Sequence, residues 1–275
     1  MAAMMIEECL LEVPREHWAR IPLLLCVAER TRPGRLDGLE DQLLADVREL
    51  LGGAEFAVTS EAVPHGRVSV AVALLQARKL IYEAGSEAVL IVATDSLLVG
   101  ATLNAFEAQQ RLLTTGNSNG FIPGEGASAV LVSRSATGSH LSIDGLGFAT
   151  EQASVEKTDP LRADGLSRAI FSALDEARCQ MHDMSFRLTD ISGEQYYFKE
   201  AALALARTLR RRKEEFDLWH PAESIGEVGS AIGPSLLAVA EAAARKRYAP
   251  GPAVLFHASN DEGQRAAMVG RYVVS

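Results

Sequence analysis

The hydrophobic pattern of the chain alternates between short unbroken apolar runs and longer stretches with apolar positions at helical spacing. The runs at Ile21–Ala28, Ala88–Ala93 and Ala253–Phe256 read as central strands covered on both faces. Two alanine-rich stretches, 67–84 and 228–247, are apolar on most faces, as in helices sandwiched inside a protein. The whole pattern predicts strands near 6–13, 21–28, 55–59, 88–94, 126–133, 139–148, 186–191, 252–258 and 266–274. It predicts helices near 37–51, 67–84, 100–111, 163–180, 197–213 and 228–247. Gly85 and the Tyr248–Gly251 turn end their helices. The polar segment Thr150–Gly165, with Pro160, reads as a hinge.

The pattern repeats. Ala77-Arg78-Lys79 leads through Tyr82 and Gly85 into Ala88-Val89-Leu90 and on to a second strand from Gly126. Ala244-Arg245-Lys246 leads through Tyr248 and Gly251 into Ala253-Val254-Leu255 and on to a second strand after Gly263. Self-similarity at this scale predicts two similar α/β units with helices buried between two sheets. The expected division is a shortened N-terminal half, 1–135, and a C-terminal half, 136–275, in one compact domain.

Composition narrows the function classes. The 275 residues are 48% hydrophobic and 23% charged, which excludes a disordered or fibrous chain. A net charge of −9 argues against nucleic acid or an anionic membrane as partner. No apolar run is long enough to suggest a membrane span, and the acidic N-terminus lacks the basic start of a secretory signal. Three cysteines without a CxxC pair predict a reduced, cytoplasmic protein with no disulfide frame and no metal site.

Four segments carry a family resemblance. Asn119-Gly-Phe-Ile-Pro-Gly-Glu-Gly-Ala127 resembles the glycine-rich hairpin of the β-ketoacyl-ACP synthases. Ser224-Ile-Gly-Glu-Val-Gly-Ser-Ala-Ile-Gly233 resembles their N-I-G-H segment, and Ser259-Asn-Asp-Glu-Gly263 their C-terminal glycine turn. Helix 67–84 with the strand after it resembles the nucleophile helix and its neighbour. The resemblance implies the thiolase fold, a five-layered α-β-α-β-α sandwich of two pseudo-symmetric halves, with a shortened N-terminal half. It implies no cofactor.

The departures fall on the chemistry. The family's nucleophilic cysteine sits at the start of the buried helix, where the helix N-terminus favours a thiolate. Its spacing lands on Val68, flanked by Arg67 and Ser69. One family histidine follows a strand in the C-terminal half, where the nearest polar residue is Glu194. The other falls on Glu227, and Ala222 and Glu223 stand where a lysine is expected. An ionised carboxylate donates no hydrogen bond to a thioester oxygen, so Glu does not replace His. Val68, Glu194 and Glu227 are therefore read as degenerate positions, with no catalytic residue expected. Glu227 is expected to be structural, beside a helix start. Cys26 reads as a small buried hydrophobe, and Cys9 and Cys179 lie outside the motif.

Two further readings stand beside this one. His65, Ser69 and His257, with Glu194 and Glu227 brought together, would make a pocket for a relocated hydrolytic or acyl-transfer group. The simpler reading makes Ser69 a first-turn residue and the two histidines turn or loop residues. Arg207, Arg210, Arg211, Arg212 and Lys213 read as a basic helix end, or as a contact for a carrier protein. The strand at Glu55–Thr59, carrying Phe56 and Val58, is expected to form a dimer edge with another thiolase-like subunit. The resemblance extends to short thiolase-like proteins of type VI secretion loci, which adds an effector protein or an acyl carrier protein as partner. The leading expectation is a ketosynthase-like pseudoenzyme serving as scaffold or adaptor. The alternative is an acyltransferase of the β-ketoacyl-ACP synthase class or an acyl binder.

Overall fold

The computed structural model describes residues 1–134 and 138–274. The expected boundary between 135 and 136 lies outside the described residues. In chain order the elements are α1 (Ala2–Cys9), β1 (Leu23–Cys26), α2 (Leu39–Leu50), β2 (Glu61–Val63), α3 (Ser69–Tyr82), β3 (Ala88–Ser96), α4 (Gly100–Ala108) and β4 (Glu125–Ser133). There follow β5 (His140–Thr150), α5 (Asp164–Glu176), β6 (Phe186–Thr189), α6 (Gln195–Thr208), β7 (Leu218–Trp219), α7 (Ala222–Ile225), α8 (Ile232–Arg245), β8 (Ala253–Ser259) and β9 (Gln264–Val273). Two compact units hold one sheet each. The first is Met1–Gln109 with Pro123–Ala136 and Glu227–Ser235; the second is Gln110–Ile122 with Thr137–Gly226 and Leu236–Ser275.

The sheet of the first unit has the order β2-β1-β3-β4, parallel except for the antiparallel β3–β4 pair. That of the second has the order β5-β9-β8-β6-β7, with β9–β8 antiparallel and β8–β6–β7 parallel. The sequence repeat thus has a topological counterpart: β1, β2, β3 and β4 correspond to β6, β7, β8 and β9. The correspondence extends to the helix starts. Gly66 (φ +54°) opens a 3-10 turn into the 14-residue α3, and Gly229 (φ +56°) opens one into the 14-residue α8. A left-handed backbone is tolerated at both because glycine lacks Cβ.

Two expected strands are corrected. Residues 6–13 do not form a strand; α1 occupies Ala2–Cys9 because Ala2, Ile6 and Leu10 share one helical face and bury it. They join Leu23, Leu25, Leu90 and Val92 in one core cluster. The strand expected at Glu55–Thr59 starts later, at Glu61. The Ser60 hydroxyl and amide both donate to the Ala57 carbonyl, at 2.6 and 2.9 Å, closing a turn just before it. Phe56 points inward and stacks on Trp18 at 5.7 Å, whereas Val58 is 98% exposed in the turn. The expected basic helix end is also corrected: α6 stops at Thr208, so Arg207 lies on the helix and Arg210–Lys213 follow in irregular chain.

In the second unit, α5 and α6 pack together and α5 covers β5 and β9. Gly145 and Gly147 let α5 approach, since an added Cβ would sit 2.1 Å from the Ala173 carbonyl oxygen and 2.0 Å from that of Ala169. The turn joining β8 and β9 is fixed by a fully buried ion pair. Arg265 Nε lies 2.8 and 3.0 Å from the Glu200 oxygens, Nη1 donates to the Asn260 carbonyl at 2.6 Å, and Nη2 to the Tyr196 hydroxyl at 2.9 Å. The Tyr196 hydroxyl donates onward to the Ala153 carbonyl at 2.6 Å. Burial pushes the Glu200 carboxyl above its ordinary range, and the facing guanidinium opposes that shift. Removing one partner of such a pair leaves an uncompensated buried charge. Glu200→Ala is therefore expected to lower unfolding stability by about 3–5 kcal/mol, read as a lower midpoint in urea denaturation. An unchanged midpoint would show that the pair is not the anchor of this turn.

Candidate functional site

In parallel α/β sheets the carboxyl ends of the strands are where sites form. Those ends of β1, β2 and β3 carry the first unit's polar cluster. It is built around the backbone of Gly229 and Ser230. The Gly229 N–H donates to Glu227 Oε1 at 2.9 Å, and the Ser230 N–H donates to Asp95 Oδ2, also at 2.9 Å. Each carboxylate is in turn held by a buried arginine. Arg67 Nη1 lies 3.4 Å from Glu227 Oε2. Arg32 donates to both Asp95 oxygens, at 3.0 and 3.3 Å, and also to Glu29. The Arg32, Arg67 and Glu227 side chains are all less than a tenth exposed.

The turn needs glycine for space as well as for backbone angle. A Cβ at 229 would sit 2.1 Å from Asp95 Oδ2. The two corresponding helix starts are tied to strand ends by serines. The Ser230 hydroxyl lies 3.1 Å from the Thr94 carbonyl and 3.3 Å from that of Cys26. The Ser69 hydroxyl donates to the Val63 carbonyl at 3.0 Å and accepts from the His65 amide at 3.1 Å. Ser69 is fully buried at the first position of α3, and His65 is exposed in the turn before it. Val68, at the position resembling the family nucleophile, is buried in the 3-10 turn between them.

The second unit places Glu194 in the same kind of arrangement. Both Glu194 oxygens accept from Arg111, at 2.8 Å each, in a bidentate pair, and Arg111 Nη1 reaches Asp261 at 2.7 Å. Tyr197 donates to the other Asp261 oxygen. Gly193 lets the chain approach closely, since a Cβ there would meet the Gly120 carbonyl oxygen at 2.4 Å, and Asn119 Oδ1 accepts the Gln195 N–H at 2.8 Å. His257, expected at a strand end facing a pocket, lies instead inside β8, where it is buried with its Nδ1 3.1 Å from the Thr189 hydroxyl.

Glu227 in the first unit and Glu194 in the second are each paired with a buried arginine, Arg67 and Arg111. Sequence reasoning missed Arg32, Arg67, Asp95 and Arg111. Two glutamates inside otherwise apolar, glycine-rich segments were the available signal. Such acids are buried only with partners.

None of the three thiols is activated. Burial pushes Cys9 up to about 11 and raises Cys26 and Cys179 as well. Among the described residues, no three His, Cys, Asp or Glu side chains stand together to hold a metal ion, and no helix is long and apolar enough to cross a membrane.

No family model matches the chain, and no curated protein matches it in sequence. Solved structures do. The oxazolomycin ketosynthase domain OzmH KS7 of Streptomyces albus JA3453 superposes with a TM-score of 0.78 at 16% identity, over 99% of this chain and 60% of that one. The ketosynthase ApeO in complex with its chain length factor ApeC, from Xenorhabdus doucetiae, gives 0.69 at 12% identity, over 98% of this chain and 77% of that one. The β-ketoacyl-ACP synthase III of Thermus thermophilus gives 0.62 at 17% identity, over 100% of this chain and 84% of that one. The chain therefore has the α/β thiolase-like fold of the ketosynthases, and it spans 60% of the length of the oxazolomycin domain.

Two outcomes test this geometry. Glu227→Gln keeps the shape but leaves Arg67 without that buried counter-charge. It is expected to cost about 3 kcal/mol, several times the roughly 0.3–1 kcal/mol of an exposed helix-dipole interaction. Chemical denaturation measures the difference, and a loss below that exposed range would mean the pair is not coupled. His257 contributes a pH dependence of its own. Burial, with Arg187 and Arg265 nearby, lowers its pKa from 6.5 to about 3. The folded state keeps this ring neutral while the unfolded chain binds a proton, so stability is full above 6.5 and declines as pH falls toward 3. His257→Gln should flatten that part of the stability–pH curve; an unchanged slope would show that His257 does not contribute.

Proposed function

We propose that this chain is a non-catalytic, ketosynthase-like subunit that works by binding, as a scaffold or adaptor, in the cytoplasm. The observation that carries the reading is the state of the degenerate positions. Val68 offers no nucleophile, and both positions read as family histidines carry glutamates committed to buried arginines. A carboxylate held by a guanidinium and a backbone amide is an acceptor and donates no hydrogen bond to a substrate carbonyl. The raised pKa values of Cys9, Cys26 and Cys179 support the same reading, because acyl transfer to sulfur needs a thiolate.

The partner we propose first is another thiolase-like chain, a second copy or a relative. One structural neighbour is a ketosynthase in complex with its chain length factor, and a further one is a ketosynthase with its acyl-carrier protein. In the first unit β2 lies at the sheet edge, so Glu61–Val63, rather than Phe56 and Val58, is the strand that would pair across such a dimer. An effector-chaperone role at a secretion locus is the narrower form of the same adaptor reading.

The test combines chemistry with assembly. Incubation with acyl-CoA or acyl-ACP, followed by intact-mass spectrometry, is expected to show no adduct, and Val68→Cys is expected to add no condensing turnover. Light scattering is expected to show a species larger than one chain, alone or with a thiolase-like partner. A stable adduct on Ser69 or on any cysteine of the unaltered chain would overturn the non-catalytic reading. A lone monomer in every mixture would overturn the scaffold reading.

A further inference from the structure

A cleft of about 500 Å³ opens in the second unit between α5 and the end of α6, and its lining includes none of the residues read as degenerate. Arg168 and Phe171 of α5 line one side, and Arg207 and Arg210 the other. Its volume is that of a ligand site, but it is open along one face, so it would not enclose a small molecule.

The charges in this cleft are unevenly committed. Asp164 is paired with Arg207 at 2.9 Å. The Glu151 carboxylate is buried and accepts the Gly165 N–H at 2.8 Å and the Ala153 N–H at 3.3 Å, neutral donors that leave its charge to offset one of the cleft's guanidiniums. Arg168 is braced by the Thr150 and Asp164 carbonyls, at 2.9 and 3.3 Å, which are neutral acceptors that leave its charge uncompensated. Arg210 stands exposed at the mouth, followed in sequence by Arg211 and Arg212, which are also exposed. The balance left for a partner is positive, on a chain whose net charge is −9.

Two further features point to an occupant. Ser167 is 4% exposed, lines the cleft, and its hydroxyl has no hydrogen-bond partner. Buried hydroxyls are normally satisfied, so this one lacks an acceptor or donor. One turn further along α5, Phe171 is 44% exposed and presents its ring at the same cleft. An aromatic platform flanked by uncompensated guanidiniums fits a segment that is both acidic and apolar.

We infer that this cleft docks an acidic peptide segment of a partner protein. One apolar side chain of the segment sits on Phe171, and its carboxylates pair with Arg168 and Arg210. The inference deepens the binding role proposed above by giving it a surface and a partner chemistry.

The probe is a fluorescein-labelled dodecapeptide of alternating Asp and Glu with one central Leu, added to the full chain and followed by anisotropy. Saturable binding that weakens with added salt is expected. Arg168→Glu with Arg210→Glu should weaken it by about tenfold, as should Phe171→Ala, in proteins whose circular dichroism is unchanged. The same peptide with Leu replaced by Gly should bind more weakly to the unaltered chain. No binding up to millimolar peptide, or equal binding by all variants, would overturn the inference. Tighter binding of a single-stranded RNA or of inorganic phosphate at the same arginines would overturn the choice of an acidic peptide. Failure here with no acyl adduct in the earlier test leaves the non-catalytic reading intact, whereas an adduct together with peptide binding would separate the two the other way.

Discussion

Two consecutive backbone amides, those of Gly229 and Ser230, organise the first unit's polar cluster. Each donates to a carboxylate, and each carboxylate is held by an arginine, Glu227 by Arg67 and Asp95 by Arg32. The arrangement follows from the turn. A left-handed glycine swings the start of α8 toward the strand ends and leaves two N–H groups without helical acceptors. Carboxylates satisfy them well, but a buried carboxylate needs a cation. The arginines come from the segment after β1 and from the turn before α3, so one glycine turn joins three parts of the chain far apart in sequence.

The consequence for chemistry is a matter of hydrogen-bond polarity. A site that stabilises negative charge on a substrate oxygen must keep donors unoccupied until the reaction. Here the strongest donors available, Arg67 and the Gly229 amide, point at Glu227. Arg111 is spent in the same way on Glu194 and Asp261 in the second unit. Glu227 and Glu194 thus share one physical arrangement, a buried acid facing a buried guanidinium.

The sequence made the strands and buried helices legible because their signals are local. Unbroken apolar runs gave β1, β3 and β8, and the repeat of Ala-Arg-Lys followed by an apolar strand anticipated the matching order of the two sheets. Errors arose where period and length conflict. Ile6 and Leu10 can be read as alternating or as one helical face, and α1 is short enough for either. Phe56 and Val58 alternate like a strand, yet the Ser60 bonds to Ala57 make a turn that no periodicity reports. In the site, the two glutamates stood out because residue identity is read directly. The arginine partners did not, because Arg67 and Glu227 lie 160 positions apart and only the fold brings them together.

The buried pairs also bear on why such a site would persist. A buried ion pair is seldom a gain in stability over well-packed apolar residues of the same volume, so stability alone does not account for Arg67–Glu227 or Arg111–Glu194. What an ion pair supplies is direction. Glu227 fixes the Gly229 turn in one orientation relative to α3, and Arg111 fixes the Leu112–Phe121 loop against the β8–β9 turn through Asp261. An apolar replacement would fill the space and leave the amides unsatisfied and the turns free to slide. Both glutamates hold their turns in this way, Glu227 through Arg67 and the Gly229 amide and Glu194 through Arg111.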